Sequence, residues 1–253
     1  MKAQLKLKEG ATPTFHKAYT MPYKKEEVEK ELLSMEKSGI LQKVQHSEWA
    51  SPIVLAQRND KKLRICVDYK VTLNKVLNTD HYPLPLSEDI FTELTGSSVF
   101  SVLDLTGAYQ QLLLDDKARE YMTINTHHGL FQPTRLQFGV SSGPSVFQCV
   151  MDQILSGLNN VNDVVIKGYS LYDYYESLVK VLERLKSYNV KVNLEKCQFF
   201  CEEIRFLGHV INKEGIQPLP DTVEAITKAP TPTSVKQLQA YLGPFKLLWQ
   251  VYT

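Results

Sequence analysis

The order of segments along this chain predicts an α+β fold. Three observations carry the prediction. Stretches of helical periodicity and short β-like runs follow one another in irregular order, turn residues bracket the short runs, and neither an internal repeat nor a low-complexity tract is present. At 253 residues the chain is long enough to bury a substantial core, as one domain or as two or three subdomains that share contacts. Its 43% hydrophobic and 23% charged residues are ordinary for a globular protein and exclude the disordered and fibrous classes.

Residues 24–38 form the first predicted helix, with Val28, Leu32, Leu33 and Met35 on one side and Gly39 as its stop. A short strand over Ile53–Ala56 and a second over Leu63–Tyr69 are joined by the polar turn Asn59-Asp60-Lys61-Lys62, a hairpin signal. Pro83 and Pro85 interrupt the chain before a helix capped near Ser87, with Glu88 and Asp89 in its first turn and Gly96 at its end. A strand carrying Asp104 follows. Residues 121–138 alternate β-like runs about a turn at His128-Gly129. Ser142-Gly143-Pro144 then opens a helix with Val146, Phe147, Val150, Met151 and Ile154 at helical spacing, proline suiting the first turn. Another helix spans roughly 172–188, followed by strands at 190–194 and 204–211. Two short helices close the chain, near 221–228 and 234–242, the second opened by a Ser234-x-x-Gln237 capping box.

No run of about 18 apolar residues exists, so no membrane span is expected. The first thirty residues are lysine-rich, broken by Pro13 and Pro22, and lack an apolar signal core, which places the expected location inside the cell, cytoplasmic or nuclear. Cys66, Cys149, Cys197 and Cys201 do not form a paired zinc pattern and read as reduced thiols. A net charge of +1 gives no global pull toward nucleic acid, so any such binding requires basic residues gathered in a cleft.

The segment Phe100-Ser101-Val102-Leu103-Asp104-Leu105-Thr106-Gly107-Ala108-Tyr109-Gln110-Gln111 places a carboxylate inside an apolar strand pattern. Burying a charge beside Val102, Leu103 and Leu105 is costly without compensation, and a bound cation is a common compensation. This segment resembles the first catalytic motif of reverse transcriptases, specifically the gypsy-like LTR retrotransposon class. Further segments resemble that family in the same order: Arg64-Ile65-Cys66-Val67-Asp68-Tyr69-Lys70, Phe138-Gly139 through Pro144 to Phe147-Gln148, Lys196-Cys197, and Phe206-Leu207-Gly208-His209. The resemblance runs from about Lys24 to Leu242.

What the resemblance implies is a right-hand polymerase fold, with fingers over 1–82 and 110–140 and palm over 83–109 and 141–212. An incomplete thumb or connection would take 213–253, with no protease or ribonuclease H domain. It implies RNA-directed DNA polymerisation: two Mg2+ ions held by carboxylates, a template–primer of RNA or DNA, and deoxynucleoside triphosphates. Asp104 and Asp163 match two of the family's three aspartates, and Asn162 stands at the third. Arg64, with Arg58 assisting, would grip the triphosphate, because a guanidinium fork meets phosphate oxygens bidentately. Tyr109 would stack under the sugar and reject a 2′-hydroxyl, and Phe138, Gly139 and Gln148 would line the nucleotide. Lys196 would protonate the leaving pyrophosphate; Leu207, Gly208 and His209 would grip the primer.

Two departures qualify this. Asn162 offers an amide oxygen without formal charge, and between Gly157 and Gly168 the chain is about four residues shorter than the family pattern, at the expense of the strand before the acidic pair. Polymerase activity is therefore expected to be strongly reduced or lost. The alternatives are a non-catalytic nucleic-acid-binding remnant, or a degenerate product that folds poorly.

Overall fold

The structure, a computed structural model, describes residues 2–20, 25–57, 63–78, 82–83, 85–162, 164–228 and 232–238. The chain packs as two compact units, Met1–Pro83 with Thr106–Met151, and Leu84–Leu105 with Asp152–Thr253.

The first unit is built on a five-stranded sheet in the order Leu41–Val44, Gly129–Pro133, Ile124–Thr126, Ser51–Gln57, Leu63–Val67. Its ladders are antiparallel except where Ser51 and Pro52 run parallel to Ile124 and Asn125. The last two strands pair as the expected hairpin; the turn 59–62 between them lies outside the described residues. The helix Lys25–Lys37 buries Val28 and Leu32 against Leu41, Ile53, Ile124 and Phe131. Leu33, expected on that inner side, is 48% exposed. Five residues after Val28 and two before Met35, it lies about 140° and 160° around the helix from them, off the stripe that Val28, Leu32 and Met35 share. A second core gathers Trp49, Tyr69, Leu73, Leu77, Leu114, Met122 and Leu136. Tyr69 is fully buried and donates to the Met122 carbonyl at 3.2 Å. The helix Asp116–Tyr121, capped by the Asp115 side chain, has no counterpart in the sequence pattern, because six residues carry too little periodicity to read.

The second unit centres on a four-stranded sheet in the order Gln198–Cys201, Val99–Val102, Val165–Gly168, Val161–Asn162, all antiparallel. The helix Leu171–Ser187, capped by Ser170, buries Tyr174, Leu178, Val181 and Leu185. It lies so close to Gly168 that a Cβ there would meet backbone and side chain of Tyr174 at 2.3–2.7 Å. Ile90, Phe91 and Leu94 of the helix Ser87–Leu94 pack with Phe100, Val165, Ile204 and Ile211. Ser87 is the first helical residue of that helix rather than its cap; Leu86 stands at the cap without a side-chain bond.

Two expected strands differ. The stretch 190–194 contributes a single bridge, Leu105 to Val192. Of its other backbone groups, Val190 N–H closes on the Leu185 carbonyl of the preceding helix, and the Asn193 carbonyl accepts from the loop amides of Lys196 and Cys197. The stretch 204–211 is two strands, Glu203–Phe206 and His209–Asn212, folded at Leu207-Gly208, with Gly215–Pro218 added to make a three-stranded sheet. Leu207 and Gly208 both take positive φ, 46° and 80°, which is what a tight hairpin between adjoining strands requires. The helix Pro220–Thr227 follows. At Ser234, the hydroxyl caps Gln237 N–H as expected, while the Gln237 side chain returns to Thr233 rather than to Ser234. The rest of the helix expected near 234–242 lies outside the described residues beyond 238. No helix among the described residues is long and apolar enough to cross a membrane.

Candidate active site

In the second unit, Asp104 stands two residues beyond the end of the buried strand Val99–Val102. Phe100 is fully buried, and the buried Ser101 hydroxyl is satisfied by the Tyr174 hydroxyl at 2.5 Å, so the strand is fixed along its length. Beyond it the backbone is clasped from two sides. Leu103 N–H donates to the Val164 carbonyl at 2.7 Å; Asn193 N–H donates to the Asp104 carbonyl at 2.8 Å. Asp104 N–H donates to Cys197 Sγ at 3.3 Å. The Asp104 carboxylate, half-buried, has no hydrogen-bond or ion-pair partner among the described residues. A carboxylate oxygen is the kind of donor that a hard divalent cation takes.

Val164, the partner of Leu103, stands in the turn just before the strand Val165–Gly168. The arm entering this turn pairs over two residues only, Asn162 with Val165 and Val161 with Ile166. That short arm hangs on Asn160, whose backbone adopts φ 61° and accepts from Lys167 N–H at 2.9 Å. The Asn160 side chain donates to Asp173 at 2.9 Å and lies 3.2 Å from the Ser177 hydroxyl. Asp163 and Arg58 lie outside the described residues. Among the described residues no three His, Cys, Asp or Glu side chains converge as a metal site.

Lys196 is exposed on the loop that clasps Asp104, where Lys196 and Cys197 amides both donate to the Asn193 carbonyl. Cys197 is the residue that sequence reasoning missed here: read as an ordinary thiol, it is the acceptor for the Asp104 amide. All four cysteines are free. Leu207 and Gly208 are exposed at their turn, whereas the His209 ring is buried. It lies edge-on to Phe91 with Nδ1 3.0 Å from the Leu207 carbonyl, so it braces the hairpin from inside rather than lying at the surface.

In the first unit, Gly107 adopts a left-handed conformation before a short turn of helix, Ala108–Gln111, that presents Tyr109. Arg135 holds this turn by donating to the Gln110 and Gln111 carbonyls at 3.3 and 3.1 Å. The Tyr109 ring meets Phe138 at 5.0 Å and Phe147 at 5.4 Å, both edge to face. Arg64, exposed on the strand Leu63–Val67, stacks over Phe138 with Cζ 4.8 Å from the ring centroid. Gly139 has φ 95°, and a Cβ there would approach the Val67 carbonyl to 3.2 Å, so glycine lets the chain pass over that strand. Asn74 secures the same loop, donating to the Gly139 carbonyl at 2.8 Å and accepting from Ser141 N–H at 2.9 Å. Gln148 is buried on the helix Gly143–Leu155. Arg135 and Asn74 are also invisible to sequence reasoning, since bonds to distant backbone leave no local pattern.

The model of the family "Reverse transcriptase (RNA-dependent DNA polymerase)" matches residues 56–211. The chain is 38% identical over 249 residues to an uncharacterized protein of Caenorhabditis elegans, covering 96% of this chain and 20% of that one. It is 32% identical to the retrovirus-related Pol polyprotein from transposon 412 of Drosophila melanogaster, over 96% of this chain and 20% of the polyprotein. The chain thus spans about a fifth of the length of these curated relatives. Among solved structures, the foamy viral protease-reverse transcriptase in complex with dsDNA is similar at TM-score 0.80 and 23% identity, covering 94% of this chain and 50% of that one. That similarity establishes the reverse transcriptase fold.

Proposed function

This chain belongs to the reverse transcriptase (RNA-dependent DNA polymerase) family, as the reverse transcriptase domain of an LTR retrotransposon, and we propose that it binds a template–primer and deoxynucleoside triphosphates but extends the primer slowly or not at all. Residues 1–82 and 110–140 serve as fingers, 83–109 and 141–212 as palm, and the residues after 212 as the start of a thumb. Bound divalent ions would activate the primer 3′-hydroxyl and neutralise the leaving pyrophosphate. Asp104 and Asp163 would hold them, with the Asn162 amide as a neutral third ligand. Arg64 and Arg58 receive the triphosphate, and Tyr109, Phe138, Gly139 and Gln148 surround the nucleotide. Lys196 delivers a proton to pyrophosphate, and Leu207, Gly208 and His209 steady the primer end.

The observation that carries this reading is the contrast at Asp104. Its backbone is clasped by Asn193 and Cys197, with Val164 holding the preceding residue, and its carboxylate has no partner among the described residues. The neighbouring hairpin arm, by contrast, is two residues long and ends on Asn162. The loss of one ligand charge in the transition state costs a few kcal/mol, a rate factor of about a hundred or more. A hairpin arm too short to set the second acid opposite Asp104 would add to it.

Primer extension with magnesium or manganese tests the catalytic half, with Asp104→Ala as control. A weak signal that Asp104→Ala abolishes is the expected result; equal signals from the two proteins would leave the non-catalytic binding remnant. A steep fall of primer–template affinity with salt supports binding in either case, and a flat response would remove it.

A further inference from the structure

We infer that Phe138 is a positioning residue that ties the phosphate grip to sugar discrimination, its ring holding Arg64 by one contact and Tyr109 by another. The inference rests on the nucleotide-site reading above and adds a physical link between two of its parts.

Phe138 is 42% exposed, so its ring is not explained by core packing alone. It accepts the Arg64 guanidinium at 4.8 Å from its centroid and meets the Tyr109 ring at 5.0 Å and 69°. Phe147 closes on Tyr109 at 5.4 Å and 90°. Arg64 has no ion-pair or hydrogen-bond partner among the described residues, so the aromatic face is the anchor the structure gives it. A guanidinium held over a ring spends none of its N–H groups on a hydrogen bond there, and those groups are what phosphate oxygens require. A long arginine left unstacked would have to surrender its rotamer freedom on binding, which weakens the grip. Tyr109 gains from the same ring in a different way. A phenol works as a steric wall against a 2′-hydroxyl only if it cannot swing aside, and edge contacts from Phe138 and Phe147 hold its plane. The loop bearing Phe138 is itself fixed by Asn74 on both sides of Val140. One substitution at Phe138 should therefore loosen both functions, whereas substitution at Phe147 should reach the sugar alone.

The test is equilibrium binding of dATP and of ATP to the full chain loaded with a primer–template that has thymine as the templating base. Proteins compared are the wild type, Phe138→Leu, Phe138→Tyr, Phe147→Leu, Arg64→Met and the double variant Arg64→Met/Phe138→Leu. Phe138→Leu is expected to weaken dATP about fivefold and to shrink the dATP-over-ATP preference, while Phe138→Tyr stays near wild type. In the cycle, Phe138→Leu should cost little further dATP affinity once Arg64 is gone. Phe147→Leu should reduce the preference while leaving dATP affinity within about twofold. Additive effects of Arg64→Met and Phe138→Leu, or an unchanged preference in Phe138→Leu, would overturn the inference. Should Phe138→Leu lose its fold, the contrast of Phe138→Tyr with Phe138→Met decides the same question. Absence of any Arg64-dependent dATP binding in the wild type overturns the nucleotide-site reading, and the inference with it; that outcome is read before any Phe138 variant is compared.

Discussion

The junction around Phe138 in the first unit and the hairpin around Asn162 in the second are both loops that carry candidate site residues, and they are held in opposite ways. The first is fastened redundantly: Asn74 bonds it on two sides, Gly139 lets it rest on the Val67 carbonyl, and Arg135 ties down the neighbouring turn that bears Tyr109. The second is held, among the described residues, by a two-residue ladder, the Leu103–Val164 and Lys167–Asn160 backbone bonds and the side chain of Asn160. Many weak, partly independent contacts make each single loss small compared with the total; a sparse set does not.

The largest expected effect lies at the back of the short hairpin. Gly168→Ala pushes a methyl into Tyr174 backbone atoms that cannot step aside, and is expected to destabilise the second unit by more than about 3 kcal/mol. Urea unfolding would read it, and a midpoint within error of wild type would show that the helix Leu171–Ser187 yields easily. Next in size, Asn162→Asp should raise magnesium-dependent primer extension by less than about tenfold, because restoring a charge leaves the arm short. Recovery of about a hundredfold would show that the missing charge, not the arm's length, limits the reaction. Lengthening the arm by about four residues should help more than the single change. Asn160→Ala removes the anchor and the residue best suited to positive φ; a loss of about 1–2 kcal/mol is expected by thermal unfolding. Tyr69→Phe leaves the buried Met122 carbonyl unpaired in the redundantly held unit, for about 1–2 kcal/mol by the same measurement.

The smallest effect is one of pH. His127, at the turn between two strands of the first unit, is held below the ordinary imidazole value by burial, then by His128 and Lys25, with Glu29 opposing. A lowered value means the fold prefers the neutral ring. This contribution is whole above the ordinary histidine range and is lost as pH falls through the lowered value. Screening at an exposed turn keeps it below about 0.5 kcal/mol. His127→Asn should flatten the stability–pH curve slightly between about pH 5 and 7.

Local spacing was enough to give the α+β class, the helices with full amphipathic periods and the order of the family-like segments. Lys25–Lys37, Gly143–Leu155 and Leu171–Ser187 each fall within a residue or two of where periodicity placed them, because a helix writes its buried face into its own spacing. Asp104 was also legible, since a charge in an apolar run stands out without any knowledge of its neighbours. Contacts between segments distant in sequence were settled only by the folded chain. The thiol of Cys197 reaches the Asp104 amide across 93 residues, Asn74 reaches Gly139 across 65, and the His209 ring turns inward against Phe91. Strand pairing works the same way. The stretch 190–194 looks like a strand but gives its backbone groups to the helix before it and the loop after it, while Gln198–Cys201 finds a place beside Val99–Val102. Backbone donors and acceptors must be satisfied wherever the fold brings partners within reach, and that reach is a property of the assembled chain rather than of any stretch of it.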